Sequence, residues 1–184
     1  MKHVLIILST FLLLGCKDDN ENSSNPAQLP PATQTGKNTA GCLVNGKVLL
    51  PDKGSIIDGG PALAAHYQYL DGGYHFGLGI TNVSNNNVEG ITIGSHNISF
   101  EEGHIYELSE ELWDDTQIYA SASFGSTIYG YQYNTTNIHT GELKITHLDT
   151  TNYIISGTFW FDAVNSNGEK VEVREGRFDL HYAP

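Results

Sequence analysis

The sequence predicts an all-β domain, either an antiparallel β-sandwich or an up-and-down barrel of about eight to ten strands. Tight-turn dipeptides recur along the chain, at Asn45-Gly46, Asp71-Gly72 and Asn167-Gly168. Such pairs supply the positive φ that two-residue hairpins need. Between the turns, apolar and polar residues alternate with a period of two, which is typical of antiparallel strands with one buried face. The pattern does not choose between the sandwich and the barrel.

The first five predicted strands are separated by turn residues. Asp71-Gly72 follows the second strand and an asparagine run at 85–87 follows the third, and these residue types tolerate left-handed backbone. In the third strand, Phe76, Leu78 and Ile80 alternate with histidine and glycine, so one face is apolar. The five strands are predicted near residues 42–50, 62–70, 74–82, 88–98 and 104–108.

The last five predicted strands show the same alternation. Ala120, Ala122 and Phe124 alternate with tyrosine and serine, and Leu143 and Ile145 alternate with polar and charged residues. Little of the remaining chain has helical periodicity. The five strands are predicted near residues 117–124, 127–134, 140–148, 153–164 and 169–182.

The apolar pattern of the last strand predicts a β-bulge. Val171 and Val173 occupy one phase of the alternation, whereas Phe178 and Leu180 occupy the other. A strand that keeps all four side chains inward must absorb one extra residue between the two pairs. Glycine adopts positive φ readily, so the bulge is predicted at Glu175-Gly176.

The first sixteen residues have the layout of a secretory signal. Lys2 precedes an apolar run from Val4 to Leu14, and Gly15 stands directly before Cys16. A basic start, a short apolar run and a small residue before the cleavage point are typical of a signal peptide, here residues 1–15. The run is shorter than the roughly 20 residues that a membrane-spanning helix needs.

Composition divides the rest of the chain into two parts. Residues 16–38 contain few apolar residues and many Asn, Ser, Pro and Thr, a composition that cannot bury enough apolar surface to fold. They are predicted to form a disordered tether. Residues 39–184 are predicted to form a single β domain, which is long enough to bury a proper core.

Charge and cysteine content restrict the partners of this domain. The formal net charge of the whole chain is −12, so it should be repelled by nucleic-acid phosphates and by anionic lipid head groups. Of the two cysteines, Cys16 directly follows the small residue Gly15, an arrangement that resembles the bacterial lipobox, whose cysteine receives lipid. Lipid on Cys16 would leave Cys42 without a disulfide partner. Cys42 lies in an apolar run, and we expect it to be a small buried hydrophobe.

Three stretches of the chain carry a resemblance to a known family: Cys16–Asp19, Cys42–Lys47, and Ile155–Val164 with Gly176–Asp179. They resemble small surface lipoproteins of Bacteroidota, an uncharacterised family. Cys16–Asp19 is similar to the acidic start of such proteins, in which a lipobox cysteine carries the lipid. The stretch Cys42–Lys47 after a proline-rich tether is similar too. The third likeness is the closing pair of strands, Ile155–Val164 and Gly176–Asp179.

This resemblance implies a location and a β fold, and no activity. It implies attachment to the outer membrane through lipid on Cys16, with the domain exposed at the cell surface. It also implies a surface-export signal formed by Lys17, Asp18 and Asp19. The alternative is that these three residues are simply part of an acidic tether and have no role in export.

The sequence predicts no catalytic residue, metal ligand or cofactor. The chain lacks a G-x-S-x-G elbow, a P-loop and a G-x-G-x-x-G motif before a helix. Its eight histidines show none of the close spacings of zinc ligands. The acidic residues within 101–115 are interpreted as a solvated face, with a calcium site as the less favoured alternative.

A row of tyrosines provides the candidate ligand platform. Tyr129, Tyr131 and Tyr133 alternate with Gly130 and Gln132, so in a strand all three project from one face about 6.6 Å apart. Exposed aromatic rows with polar neighbours suit sugar rings or protein surfaces. The alternative is that these tyrosines fill the core.

These observations together predict a non-catalytic binding module of the cell envelope, with a glycan or an envelope protein as its ligand. A structural or accessory envelope protein without a small-molecule ligand is the first alternative. A glycan-active hydrolase is the second, because carboxylates are plentiful.

Overall fold

The computed structural model describes residues 28–52, 60–84, 87–112, 118–126 and 129–184. Within these ranges the chain is all-β, as the sequence predicts, and forms eleven strands. None of the described segments forms an apolar helix long enough to cross a membrane. The strands are β1 Thr39–Val44, β2 Lys47–Leu49, β3 Leu63–Leu70, β4 Gly73–Ser84, β5 Asn87–Ser95, β6 Ile105–Ser109, β7 Ile118–Ser126, β8 Tyr129–Asn134, β9 Gly141–Asp149, β10 Ile154–Val164 and β11 Lys170–His181.

Each predicted strand overlaps an observed one, and the main difference lies at the start of the domain. The strand predicted near 42–50 is two strands, β1 and β2, joined by a turn at Asn45-Gly46. Asn45 and Gly46 have φ of 48° and 79°, the left-handed backbone that a tight hairpin requires. The turn signal at Asn45-Gly46 therefore outweighs the apolar run around it.

The strands form one mixed sheet in the order β2-β1-β11-β10-β9-β6-β7-β5-β4-β3, with β8 paired to β7 and β10. The ring centroids of Phe76 on β4 and Phe178 on β11 lie 6.2 Å apart, although several strands separate them along the sheet. The Tyr67 N–H on β3 also donates to the Ala183 carbonyl at 3.0 Å. The sheet therefore folds over on itself and encloses its apolar face, in a sandwich-like or barrel-like architecture.

The core consists of the side chains that the period-two alternation of the strands places on the enclosed face of the sheet. Ile80 on β4, Ile93 on β5 and Phe161 on β10 have no exposed surface, and neither does Cys42 on β1. Burial raises the pKa of the Cys42 thiol to about 12, which keeps it in the unreactive protonated form. The expectation that Cys42 is buried is confirmed.

The predicted bulge occurs, and its geometry explains Gly176 in a different way. Phe159 pairs with Gly176 and Phe161 pairs with Val173, so Arg174 and Glu175 both lie opposite Trp160. The left-handed residue is Glu175, with φ of 52°. A Cβ atom on Gly176 would lie 2.4 Å from the Phe159 ring. Glycine is therefore needed at 176 for close packing, and not for positive φ.

The prediction of a disordered tether through residue 38 is wrong for its described part. Residues 28–38, named here the N-terminal strap, lie against the domain. The Asn38 side-chain oxygen accepts a hydrogen bond from the His181 N–H at 3.0 Å, and the Gln34 amide donates to the Thr146 carbonyl at 2.9 Å. The remaining tether residues, 16–27, lie outside the described residues.

The strap is held by one buried carboxylate, that of Asp179 on β11, which is 1% exposed. Its donors are Thr33 Oγ1 at 2.6 Å, the N–H groups of Thr35, Gly36 and Lys37 at 3.1, 2.7 and 3.1 Å, and Ser156 Oγ at 2.8 Å. Burial opposes ionisation of Asp179, but the strap hydrogen bonds outweigh it and hold its pKa well below the usual range. The prediction from composition failed here because hydrogen bonds to a single distant residue stabilise the strap, which buries little apolar surface of its own.

Candidate functional site

Trp160 is the large aromatic residue that the alternation of β10 places on the outside of the sheet. Its neighbours Phe159 and Phe161 are 3% and 0% exposed, whereas Trp160 itself is 38% exposed. Successive side chains of a strand point to opposite faces, so two inward phenylalanines require an outward tryptophan. Trp160 therefore presents a large apolar surface to solvent from a position where antiparallel sheets usually carry polar residues.

Trp160 lies in a groove of about 450 Å³ on the outer face of β9, β10 and β11. Ile105 from β6 and Ala32 from the N-terminal strap border the groove as well. Its polar lining consists of Glu142, Lys144, Thr158, Glu175 and Arg177. We call the groove with these residues the Trp160 surface.

The indole is held in place by two neighbouring side chains. Trp160 Nε1 donates a hydrogen bond to Glu142 Oε2 at 3.2 Å across β9 and β10. The Arg174 guanidinium carbon lies 5.5 Å from the indole centroid, a favourable cation–π distance. Arg174 is itself tied to Asp162, because Nη2 donates to Oδ1 at 2.6 Å. The two contacts therefore fix the orientation of the indole, and a ring that is already oriented would lose less entropy on binding a ligand.

The bulge brings Arg174 and Glu175 to the Trp160 surface. Both residues lie opposite Trp160, so the extra residue allows β11 to place one cation beside the indole and one carboxylate in the groove. Glu175 Oε2 pairs with Arg177 Nη2 at 3.3 Å. Bulges often re-aim side chains near functional sites, and this one assembles part of the groove lining.

The predicted tyrosine platform is only partly described. Tyr131 pairs with Phe124 and Tyr133 pairs with Ala122, so both tyrosines share the inward face of the sheet. Tyr131 is 58% exposed, whereas Tyr133 is half-buried and packs edge-to-face on Phe124 at 5.7 Å between ring centroids. The side chain of Tyr129 lies outside the described part. Tyr131 and Tyr133 thus differ in environment, and the three-residue platform stays a prediction.

The other sequence candidates do not form a site in the described part of the chain. Cys16 and the export residues Lys17, Asp18 and Asp19 lie outside it. Of the acidic stretch 101–115, residues 101–112 are described, and the described residues contain no group of three or more metal-ligating side chains. Glu102 instead accepts a hydrogen bond from the Leu148 N–H at 3.1 Å.

Sequence reasoning overlooked the Trp160 surface although one signal was present. The tryptophan stands in the polar phase of a strand whose apolar phase is clear, and that position alone indicates an exposed indole. The remaining members come from β6, β9 and β11 and from the strap. Their meeting depends on strand order, for which no local pattern exists.

The comparisons with known proteins identify a family and no characterised relative. No curated protein and no solved structure matches the chain. The family described as Domain of unknown function (DUF6252) matches residues 76–179, which is more than half of the chain. The matched region runs from β4 to β11 and contains Trp160 together with the whole polar lining of the groove. This protein therefore belongs to the DUF6252 family.

Proposed function

We propose that this protein is a lipid-anchored module of the cell envelope that binds a neutral glycan on the Trp160 surface and does not catalyse a reaction. The observation that carries the proposal is an oriented, solvent-facing indole surrounded by hydrogen-bonding side chains on an exposed sheet face. A sugar ring presents apolar C–H faces and hydroxyl edges together. An aromatic plane with polar neighbours complements both.

The polar lining of the Trp160 surface suits hydroxyl groups. Glu142 and Glu175 offer acceptors, Lys144 and Arg177 offer donors, and Thr158 offers both. A sugar hydroxyl donates one hydrogen bond and accepts others, so it needs both kinds of partner. The mixture therefore favours a polyhydroxyl ligand over a purely cationic or purely anionic one.

Charge supports a neutral ligand in particular. The chain carries a formal net charge of −12, which disfavours the approach of polyanions. Of the two cations in the groove, Arg177 is already paired with Glu175. An acidic polysaccharide would thus meet overall repulsion and find one cation, Lys144, without such a partner in the described part of the chain.

The two carboxylates of the groove, those of Glu142 and Glu175, already have partners, and this supports binding rather than hydrolysis. A glycoside hydrolase needs one carboxylic acid as proton donor and a second carboxylate as base or nucleophile. Here Glu142 accepts the Trp160 indole hydrogen and Glu175 pairs with Arg177. Both carboxylates therefore contribute to orienting the surface.

The location belongs to the same proposal. The signal layout before Cys16 and the stretch Lys17, Asp18 and Asp19 that follows it, with its two carboxylates, support lipid attachment at Cys16, transfer to the outer membrane and display at the cell surface. A glycan-binding module anchored in this way would hold extracellular polysaccharide near the cell.

The binding proposal is tested by replacing Trp160. The Trp160→Ala protein should bind a panel of immobilised neutral polysaccharides (xylan, mannan and β-glucan) at least about tenfold more weakly than the unaltered protein, as for a central aromatic contact. Its circular dichroism spectrum should be unchanged. The affinities are measured by biolayer interferometry.

Tyr131→Ala is the matched control, because Tyr131 is another exposed aromatic residue outside the Trp160 surface. It should leave glycan affinity unchanged. If Tyr131→Ala loses binding and Trp160→Ala does not, the ligand lies on the predicted tyrosine row instead. If no member of the panel binds the unaltered protein, the glycan proposal is wrong.

The anchor is tested by Cys16→Ala. The variant should lose incorporation of labelled palmitate and move from the membrane fraction to the soluble fraction. Replacing Lys17, Asp18 and Asp19 with alanine should keep the label but reduce protease accessibility of the domain on intact cells. A labelled, membrane-bound Cys16→Ala protein would disprove the anchor.

A further inference from the structure

A second cavity lies at one end of the sheet, apart from the Trp160 surface. It has a volume of about 290 Å³ and lies between the β1–β2 hairpin and strands β5, β7 and β8. We call it the end pocket. It shares no lining residue with the Trp160 surface. Its apolar lining consists of Val44, Val48, Leu49, Phe124, Tyr133 and Val171.

The walls of the end pocket are held by contacts on both sides. The β1–β2 turn is fixed to β11, because the Asn45 N–H donates to the Glu172 carbonyl at 2.8 Å and the Glu172 N–H donates to Asn45 Oδ1 at 2.9 Å. On the opposite side, the rings of Phe124 and Tyr133 pack edge-to-face. The cavity is therefore formed without a ligand, as most small-molecule sites are.

The interior of the domain limits the size of an occupant. Leu49 and Val171 are 3% and 2% exposed. The core residues next to the pocket, Ala163 paired with Val171 and Ala122 paired with Tyr133, have no exposed surface. The cavity thus ends at a packed core. Its volume of about 290 Å³ accommodates a branched aliphatic group or one aromatic ring.

Two opposite charges stand at this cavity. Lys47 on β2 and Glu89 on β5 both line it, and both are exposed. Within the described ranges, neither side chain takes part in an ion pair. A ligand that carries both a carboxylate and an ammonium group would complement the two charges, whereas an ion of one sign would be repelled by one of them.

We propose that the end pocket binds a small zwitterion with a compact apolar side chain, namely a free apolar α-amino acid. The side chain enters the apolar cavity between Phe124 and the β1–β2 hairpin. The carboxylate of the ligand faces Lys47, and its ammonium group faces Glu89. Such a ligand has no net charge, so the acidity of the chain does not oppose its binding.

The test uses the full chain with L-phenylalanine and L-leucine as probes in isothermal titration calorimetry. Both should bind saturably. Phenylalaninamide, which lacks the carboxylate, and N-acetylphenylalanine, which lacks the ammonium group, should each bind about two- to fivefold more weakly, as expected for the loss of one exposed ion pair. Octanoate should bind more weakly than either amino acid.

Variants assign each charge to its partner. Lys47→Gln should abolish the preference for phenylalanine over phenylalaninamide and keep the preference over the acetylated form. Glu89→Gln should do the reverse. Lys144→Gln, which removes an exposed lysine of the Trp160 surface, is the matched control and should change neither preference. All three positions are exposed, so the melting temperature should stay the same.

The proposal is overturned if neither amino acid binds saturably, if both derivatives bind as well as phenylalanine, or if octanoate binds best. It is also overturned if Lys144→Gln changes the preferences as Lys47→Gln does. Failure here is distinguishable from failure of the glycan proposal. Trp160→Ala should retain amino-acid binding, and Lys47→Gln should retain glycan binding.

Discussion

At the scale of single residues, Asp179 is the side chain on which the N-terminal strap depends. Its carboxylate accepts hydrogen bonds from Thr33 Oγ1, from three successive strap N–H groups and from Ser156 Oγ. A buried carboxylate without such partners would be strongly destabilising. The strap and Asp179 therefore stabilise each other, and neither is explained without the other.

We expect Asp179→Asn to destabilise the protein by about 2–4 kcal/mol, because an amide cannot accept at both former oxygens and leaves buried strap donors unpaired. Urea unfolding of the full chain measures the effect. Asp71→Asn is the matched control. Asp71 is exposed and has a φ of 50°, a backbone that asparagine tolerates, so its stability should be unchanged.

The pH dependence of stability gives a second readout for Asp179. Its pKa is lowered in the folded protein, so its stabilising contribution is present above the unfolded pKa of about 3.9. That contribution is lost as the pH falls from about 4 toward the folded pKa. The Asp179→Asn protein should lack this part of the acid dependence. Identical acid-unfolding profiles of the two proteins would show that folding does not lower the pKa of Asp179.

At the scale of elements, the bulge in β11 joins two functions that a regular strand could not combine. It lets Val171 and Val173 share the core with Phe178 and Leu180. It also places two successive β11 residues opposite Trp160. A regular ladder would place only one β11 residue opposite Trp160. It would also turn the apolar side chains of half the strand towards solvent.

Gly176→Ala should therefore be costly, by about 1–3 kcal/mol, because the added Cβ overlaps the Phe159 ring and the core does not yield freely. Gly79→Ala is the control. Gly79 also lies in a strand, but a Cβ there meets no atom within 4 Å, so stability should change little. Thermal unfolding of both variants checks the comparison. Equal melting temperatures would mean that the Phe159 ring moves aside without cost.

At the scale of the whole molecule, two properties bear on the Trp160 surface: the net negative charge of the chain and the position of the groove. The groove lies on the outer face of β9, β10 and β11, and the strap borders it through Ala32. If the domain binds a glycan as proposed, by stacking on Trp160 and by hydrogen bonds to the groove side chains, its net negative charge should disfavour polyanionic ligands. Such selectivity would depend on the whole charge distribution rather than on any one residue.

We therefore expect the affinity for a neutral polysaccharide to be the same in about 0.05 M and 0.5 M sodium chloride, because no long-range charge attraction is screened. A polyanionic polysaccharide such as alginate should not bind at either concentration. Biolayer interferometry at the two salt concentrations measures both. Tight alginate binding that weakens with salt would show that Lys144 and the neighbouring arginines dominate the surface.

The sequence by itself determined what depends on neighbouring residues. Alternation placed the strands and their inward faces, the Asn45-Gly46 pair encoded a hairpin, and the change of phase after Val173 required a bulge. Each signal is local, because side-chain direction has a period of two and positive φ is a property of one residue.

Only the tertiary structure decided which distant residues meet. The order in which β6 lies between β7 and β9, the strap on Asp179 and the assembly of the Trp160 surface have no local signal. Thr33 and Asp179 are separated by 146 positions. The polar composition of the strap therefore predicts disorder as long as its hydrogen-bond acceptor is unknown. Pairing between distant strands is selected by the packing of the complete core, since many strand orders are compatible with the same alternation.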